Sequence, residues 1–238
     1  MMKFGKLISK RDFMSKVIAV ILARSGSKGI KDKNLARVGE FSLLARAIIG
    51  AKNSEIFDEI IVSTDGENLK NEALKFGAKV INRPLNLAGD SVTSIDALIH
   101  ALNELNLNDG ICILLQPTSP LRSEFHIKEA FNEFKKNKLG SLISVKKASH
   151  HPLKSLIFDD NEFKAIRNLK DLESPRQNLP PAFVPNGAIY INLVSDLLKH
   201  KRFFVEPINI YEMDENSSID IDNLEDLKRA NLALKDIK

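Results

Sequence analysis

Apolar positions along the chain alternate between two periods. Val17–Leu22 is a short, wholly apolar, β-branched run of the kind that forms a strand buried on both faces. A polar stretch rich in Gly, Ser and Lys follows from Ala23 to Asn34, and helical periodicity begins at residues 41–52. The pattern then repeats: strand at Glu59–Thr64, helix at 66–76, strand at Ala78–Ile81, helix at 92–105, strand at 111–115, helix at 124–137 and strand at Ser141–Val145. Strands that alternate with helices across short connections predict an α/β fold, doubly wound on a mostly parallel sheet. In such a sheet ligands bind beyond the carboxyl ends of the strands. The polar motifs fall after Leu22, Thr64, Ile81 and Leu115, which is that edge.

The texture changes after residue 146. His150-His151-Pro152, Asp159-Asp160-Asn161 and Asn178-Leu179-Pro180-Pro181 break the chain into short extended segments. Residues 147–185 therefore read as an inserted β-rich excursion. A small ribbon cannot bury its own apolar face, so a homodimer interface is the expected use of this one. Residues 224–236 close the chain with a helix.

Composition narrows the picture further. The chain has 238 residues, 43% of them hydrophobic, enough for one domain with a sizeable core. Its single cysteine, Cys112, lies in an apolar run, which excludes a disulfide framework and a Cys-rich metal site. A net charge of +4, with lysines and acids interspersed, gives no reason to expect nucleic acid. Residues 1–16 carry basic groups but no long apolar stretch, and no run reaches transmembrane length, so a cytoplasmic location is expected. Those sixteen residues read as a leader of uncertain order, with Met14 an alternative start; the domain proper runs 17–238.

The clearest local chemistry is the loop ARSGSKGIKDKN from Ala23 to Asn34. Glycines at 26 and 29 let backbone amides approach an anion, and Arg24 and Lys33 supply a planar fork and a point charge suited to a triphosphate. The loop matches neither the P-loop nor the dinucleotide fingerprint. Alternation in Ser218-Ile219-Asp220-Ile221-Asp222 sets Asp220 and Asp222 on one face of a strand, a hard oxygen pair suited to Mg²⁺ (or Mn²⁺). Asp65 and Asp90 read as helix caps, as does Ser123.

Gln116, in the Pro-stiffened loop after the fourth strand, can donate and accept hydrogen bonds toward a hydroxylated sugar. Arg83 suits a phosphate or a sugar, and Ser94 a base or its ribose. Arg176, beside Gln177, or Lys154 suits a carboxylate. Tyr190 reads as a strand residue with a half-buried ring, and the adjacent Phe203 and Phe204 as strand neighbours facing opposite ways. The five histidines have no zinc-ligand spacing.

Taken together, ARSGSKGIKDKN, RPLNLAGDSVTSIDALIHAL, LLQPTSPLR, PRQNLPPAFVPNGAIYI and SIDIDNLEDL resemble, in order, the acylneuraminate cytidylyltransferases from about Val17 onward. The resemblance implies attack of the anomeric 2-hydroxyl of a nine-carbon sugar acid on the α-phosphorus of CTP. It assigns Arg24, Lys33 and Asn34 to the phosphates and neighbouring groups, and Arg83 and Ser94 to the nucleotide, Ser94 near the cytosine. Gln116, Arg176, Gln177 and Tyr190 would surround the sugar acid, with Phe203 and Phe204 shaping its pocket. Asp220 and Asp222 would hold the metal, with Asp222 near the attacking hydroxyl, and Lys154 would reach across a homodimer into the partner's site. Kdo cytidylyltransferases share the early loop. Asn34, NGAIYI and SIDID favour the nine-carbon type, leaving neuraminic, legionaminic and pseudaminic acids open. A transferase using UTP or GTP on a sugar phosphate and a noncatalytic nucleotide-binding protein are the rival classes.

Overall fold

The computed structural model describes residues 15–27, 29–137 and 139–236. Most of the leader, including Met14, lies outside them. Strand β1 (Val17–Leu22) leads into the glycine-containing loop, a 3-10 turn at Lys33–Leu35, and a small hairpin of β2 (Arg37–Val38) and β3 (Phe41–Ser42). Helix α1 (Leu43–Ser54) starts two residues later than its periodicity predicted because Ser42 caps it, its side chain accepting from Ala45 N at 3.0 Å. Then come β4 (Glu59–Thr64), α2 (Glu67–Lys75), β5 (Lys79–Asn82), α3 (Ser94–Glu104), β6 (Ile111–Leu115), α4 (Glu124–Asn137) and β7 (Ser141–Lys147).

β1 pairs in parallel with β4 on one side and with β6 on the other, and β5 lies outside β4. The chain thus winds outward from β1 to β5 and returns to the far side of β1. That reversal is the switch point beyond which ligands of such sheets sit.

Both faces of β1 are buried. Ala19 and Ile21 join Leu44, Ile48, Val62, Ile113, Ile127 and Phe134 under α1 and α4. Ile18 and Val20 join Ile61, Leu98, Leu102 and Cys112 under α3. Each Val, Leu, Ile and Phe among them contributes about 1.5–3 kcal/mol by leaving water.

The excursion follows β7. It holds one hairpin, β8 (Leu156–Asp159) and β9 (Glu162–Ala165), then a five-residue helix α5 (Leu169–Glu173) and 3-10 turns at Pro152–Lys154 and Arg176–Asn178. It is less β-rich than expected. Asp160 and Asn161, both at positive φ, make the hairpin turn. The hairpin's large apolar side chains stay in solvent, as expected: Phe158 is 61% and Phe163 72% exposed.

The chain re-enters the sheet as β10 (Phe183–Leu193), an eleven-residue strand antiparallel to both β6 and β7. Helix α6 (Val194–His200) and edge strand β11 (Ile208–Glu212), parallel to β7, complete a seven-stranded sheet ordered β11-β7-β10-β6-β1-β4-β5. Only β10 runs against the rest. The expectation of a mostly parallel, doubly wound sheet holds.

Helix α7 (Leu224–Asp236) packs on the β2–β3 hairpin, where Val38, Leu121, Ile219, Ile221 and Ala230 form a third cluster. Among the described residues no helix is long and apolar enough to cross a membrane.

Candidate active site

Two cavities open at the carboxyl edge of the sheet and share one wall. The first, about 430 Å³, lies beyond β1, β5 and β6. Arg24, Lys33 and Asn34 line it from the glycine loop, Arg83 from the end of β5, Ser94 from the first turn of α3, and Gln116 to Thr118 from the loop after β6. The second, about 450 Å³, opens between β7 and β10 and is lined by Lys146, Asn186, Gly187, Tyr190 and Arg229. Gln116, Asp220 and Asp222 belong to both.

The glycine loop is fixed from several sides. Asn34 is buried and donates to Arg24 O at 3.0 Å. Asp65 accepts from Ser25 N at 2.8 Å and from the Ser25 hydroxyl. This corrects its reading as a helix cap: Gly66 takes the N-cap position of α2, and Asp65 ties down the loop. Burial disfavours the Asp65 carboxylate, but the Ser25 bonds and Arg83 outweigh that and hold its pKa below the usual range. Asp90 is not a cap either. Thr93 caps α3, accepting from Asp96 N at 3.3 Å, while Asp90 pairs with Arg24 Nη2 at 2.7 Å. Ser123 does sit at the start of α4, its hydroxyl facing His126 N at 3.5 Å.

Arg83 is buried and donates to Ser63 O and Ser63 Oγ at 2.8 and 3.2 Å. Burial lowers its pKa, with Asp65 opposing and Arg24 adding to the shift. The first cavity therefore concentrates three cationic side chains, Arg24, Lys33 and Arg83, around space for a polyanion.

The carboxylate pair sits in an extended loop, not in a strand as the alternation suggested. The alternation itself is real: Ile219 and Ile221 are buried while Asp220 and Asp222 face the cavities. One sheet-like bond, Ile221 N to Thr118 O at 2.8 Å, aligns the segment with the loop after β6. Lys33 Nζ donates to Ile221 O at 2.9 Å and to Asp222 Oδ1 at 3.3 Å. Gly29 leaves room for this approach, since a Cβ there would lie 2.5 Å from Asp222 O.

The Asp220 carboxyl is held above its usual pKa, first by desolvation, with Asp222 and Asp226 adding and the Thr118 hydroxyl and Lys33 opposing. Among the described residues no group of three His, Cys, Asp or Glu side chains could hold a metal ion. Two oxygen donors on a shared wall do fit a hard divalent cation that keeps most of its positions for phosphate and water.

Gln116 is held from behind. Arg122, buried and donating through Nη1 to Gln116 O and Ala188 O at 2.9 Å each, joins its loop to β10. Burial lowers the Arg122 pKa to about 9. Gly187, at φ 78°, keeps clear of the Gln116 amide: a Cβ would sit 2.7 Å from Oε1. Buried Asn186 accepts from Ser144 Oγ at 2.6 Å and donates to Ser218 Oγ at 2.9 Å, linking β7, β10 and the carboxylate segment.

Tyr190 is a strand residue with a half-buried ring, as expected, and burial followed by Asp220 raises its pKa. Phe203 and Phe204 are not in a strand and do not face opposite ways. Both rings contact Tyr190, at centroid distances of 5.2 and 6.3 Å, so they support its ring and line neither cavity.

Lys154, Arg176 and Gln177 lie on the excursion, away from both cavities. Lys154 Nζ donates to Leu172 O at 2.9 Å, and Arg176 contacts Ser149 O and His150 Nδ1 at 3.5 Å. Sequence reasoning missed Lys146, Thr118, Asn186 and Arg229 as cavity residues. Asn186 stands in the NGAIYI stretch, whereas Lys146 and Arg229 carry no motif.

A cation-lined cleft at a sheet switch point, with a carboxylate pair between it and a second cavity, suits a nucleotide-handling transferase. The family model described as "Cytidylyltransferase" matches residues 18–237, and the chain belongs to that family of CTP-using transferases. It is 32% identical to "Post-translational flagellin modification protein B" of Campylobacter coli, covering 94% of this chain and 97% of that protein. It is 35% identical to an N-acylneuraminate cytidylyltransferase of Streptococcus agalactiae over 89% of this chain, and spans about half (51%) of that longer protein. Among solved structures it resembles a CMP:2-keto-3-deoxy-manno-octonic acid synthetase complexed with CTP, with a TM-score of 0.72, 15% identity, and coverage of 94% of this chain and 100% of that one. At that identity the likeness carries the fold.

Proposed function

We propose that the enzyme transfers CMP from CTP to the anomeric 2-hydroxyl of a nonulosonic acid, N-acetylneuraminic acid or a close relative, releasing pyrophosphate. The observation that carries this reading is the shared wall. Gln116, Asp220 and Asp222 stand between a cationic cavity of nucleotide size and a second polar cavity, so two substrates can meet there. The streptococcal relative's name supplies the acceptor class.

In this reading Arg24, Lys33 and Arg83 take the triphosphate, Asn34 keeps the loop in shape, and Ser94 contacts the cytidine. Gln116 and Tyr190 orient the sugar acid, with Phe203 and Phe204 packing behind Tyr190. Asp220 and Asp222 would hold Mg²⁺ or Mn²⁺, which when bound neutralises phosphate charge and acidifies a nearby hydroxyl. The acid's 2-oxygen forms a bond to the α-phosphorus as the bond to the β-phosphate oxygen breaks. Asp222 would receive the hydroxyl proton, and Lys33 would offset charge on the leaving pyrophosphate.

Lys154, Arg176 and Gln177 would serve the partner's site in a homodimer, because the apolar side chains around them remain exposed in one chain. A cytoplasmic location, where CTP is available, goes with this reading. The test is pyrophosphate release with CTP and Mg²⁺ against N-acetylneuraminic, legionaminic, pseudaminic and Kdo acids, with product mass. Turnover of one nonulosonic acid names the substrate; preference for Kdo would overturn the nine-carbon reading.

A further inference from the structure

We infer that Lys146 receives the carboxylate of the acceptor within the same chain and so selects acids over neutral sugars; this rests on the function proposed above. Lys146 stands near the end of β7, opposite Val184 of β10. One pair further on, after Pro185 opposite Val145, the ladder breaks: the register shifts between Pro185 and Tyr190, and the second cavity lies at that irregularity. The half-buried Lys146 side chain lines that opening. Its neighbour Lys147 is 77% exposed, does not line this cavity, and pairs with Glu212 at 3.3 Å.

Charge explains why a cation is needed there. Glu215, Asp220, Asp222 and Asp226 all line this cavity, and an acidic substrate entering it meets four like charges. Within the same chain the other cations nearby are engaged: Arg229 with Asp226 at 3.8 Å, and Lys33 with Ile221 O and Asp222. Among the described residues Lys146 has no hydrogen bond or ion pair. The carboxylate of a 2-keto sugar acid is bonded directly to the anomeric carbon, so it must lie in the chamber that holds the attacking oxygen. Lys146 lines that chamber in the chain that carries Asp220 and Asp222, whereas Lys154 and Arg176 do not.

The experiment compares wild type, K146M, K146R and K147M as full chains, with the preferred acid and its C1 carboxamide. In K146M the KM for the acid rises about 10- to 100-fold, the loss of one charge-assisted bond. The KM for CTP and kcat stay within about threefold, and K146R recovers part of the loss. The decisive reading is the ratio of kcat/KM for acid to that for carboxamide, large in wild type and K147M and at least about tenfold smaller in K146M, because the two changes remove the same interaction. A K146M enzyme that still prefers the acid as wild type does overturns the inference alone. A folded wild type that turns over no sugar acid overturns both the inference and the function beneath it. Should K146M not fold, K146Q carries the same ratio.

Discussion

Gly29→Ala tests the seam between the phosphate loop and the carboxylate segment. A Cβ at residue 29 would sit 2.5 Å from the backbone oxygen of Asp222, about 0.9 Å inside ordinary contact. The obstacle is main chain, and it is anchored: Ile221 N is bonded to Thr118 O, and Lys33 holds Ile221 O. No rotamer change can relieve the clash, so the loop and the Asp222 peptide must separate by most of that distance.

Overpacking of this kind costs about 1–3 kcal/mol, or about 2–12 °C in Tm for a domain of this size. A displacement approaching 1 Å at the reacting groups lowers kcat about 10²-fold. The assays are thermal denaturation and pyrophosphate release at saturating CTP and acid. The contrast is Gly50→Ala in α1, where the nearest atoms, Arg122 O and Ile127 Cδ1, lie at 3.6 and 3.8 Å. That variant should gain about 0.5–1 kcal/mol from helix propensity with no loss of rate. A Gly29→Ala enzyme with wild-type kcat and Tm would refute the reasoning.

Asp220→Asn should lower turnover at least about 10²-fold yet raise Tm near neutral pH. An acid whose folded pKa exceeds its unfolded pKa destabilises the fold while ionised, so the gain should fade as pH falls from its raised folded pKa toward the ordinary aspartate range and vanish below that range. A carboxyl NMR titration should find the Asp220 midpoint above that range and lower in Asp222→Asn, which removes a like charge. Asp65 behaves oppositely: its stabilisation is complete above the ordinary range and is lost as pH falls through its depressed pKa, so Asp65→Asn should lower Tm at pH 7 and weaken CTP binding by calorimetry. Lys154→Ala and Asp222→Ala chains, each inactive alone, should regain activity when subunits exchange; no recovery after confirmed exchange would remove Lys154 from the partner's site.

Much of the first half was legible because its strands are buried on both faces and its helices are amphipathic, so each period announced an element. Arg24, Lys33, Arg83, Ser94 and Gln116 fell on one edge because a parallel sheet brings every strand's carboxyl end there. The second half was harder to read. β10 is a central strand, but its bulge at Pro185 to Tyr190 interrupts the pattern, and β11, an edge strand alternating exposed and half-buried residues, carries a weak signal. Asp220 and Asp222 were correctly set on one side by alternation, although one backbone bond to Thr118 holds that segment and no ladder does. Asp65 and Asp90 were misread because a carboxylate before a helix looks like a cap, and only the fold brings Ser25 and Arg24 within reach. Lys146 became visible only once the fold placed a cavity beside it.

The central claim is that a CTP-binding cleft and an acid-binding cavity meet at Asp220 and Asp222. The most direct test is pyrophosphate release by the purified protein with Mg²⁺ and one nonulosonic acid, run with each of CTP, UTP, GTP and ATP and with the acid omitted. The account predicts release only when CTP and the acid are both present, with one CMP-sugar formed per pyrophosphate. Equal release without the acid, or a preference for another nucleotide, would contradict it.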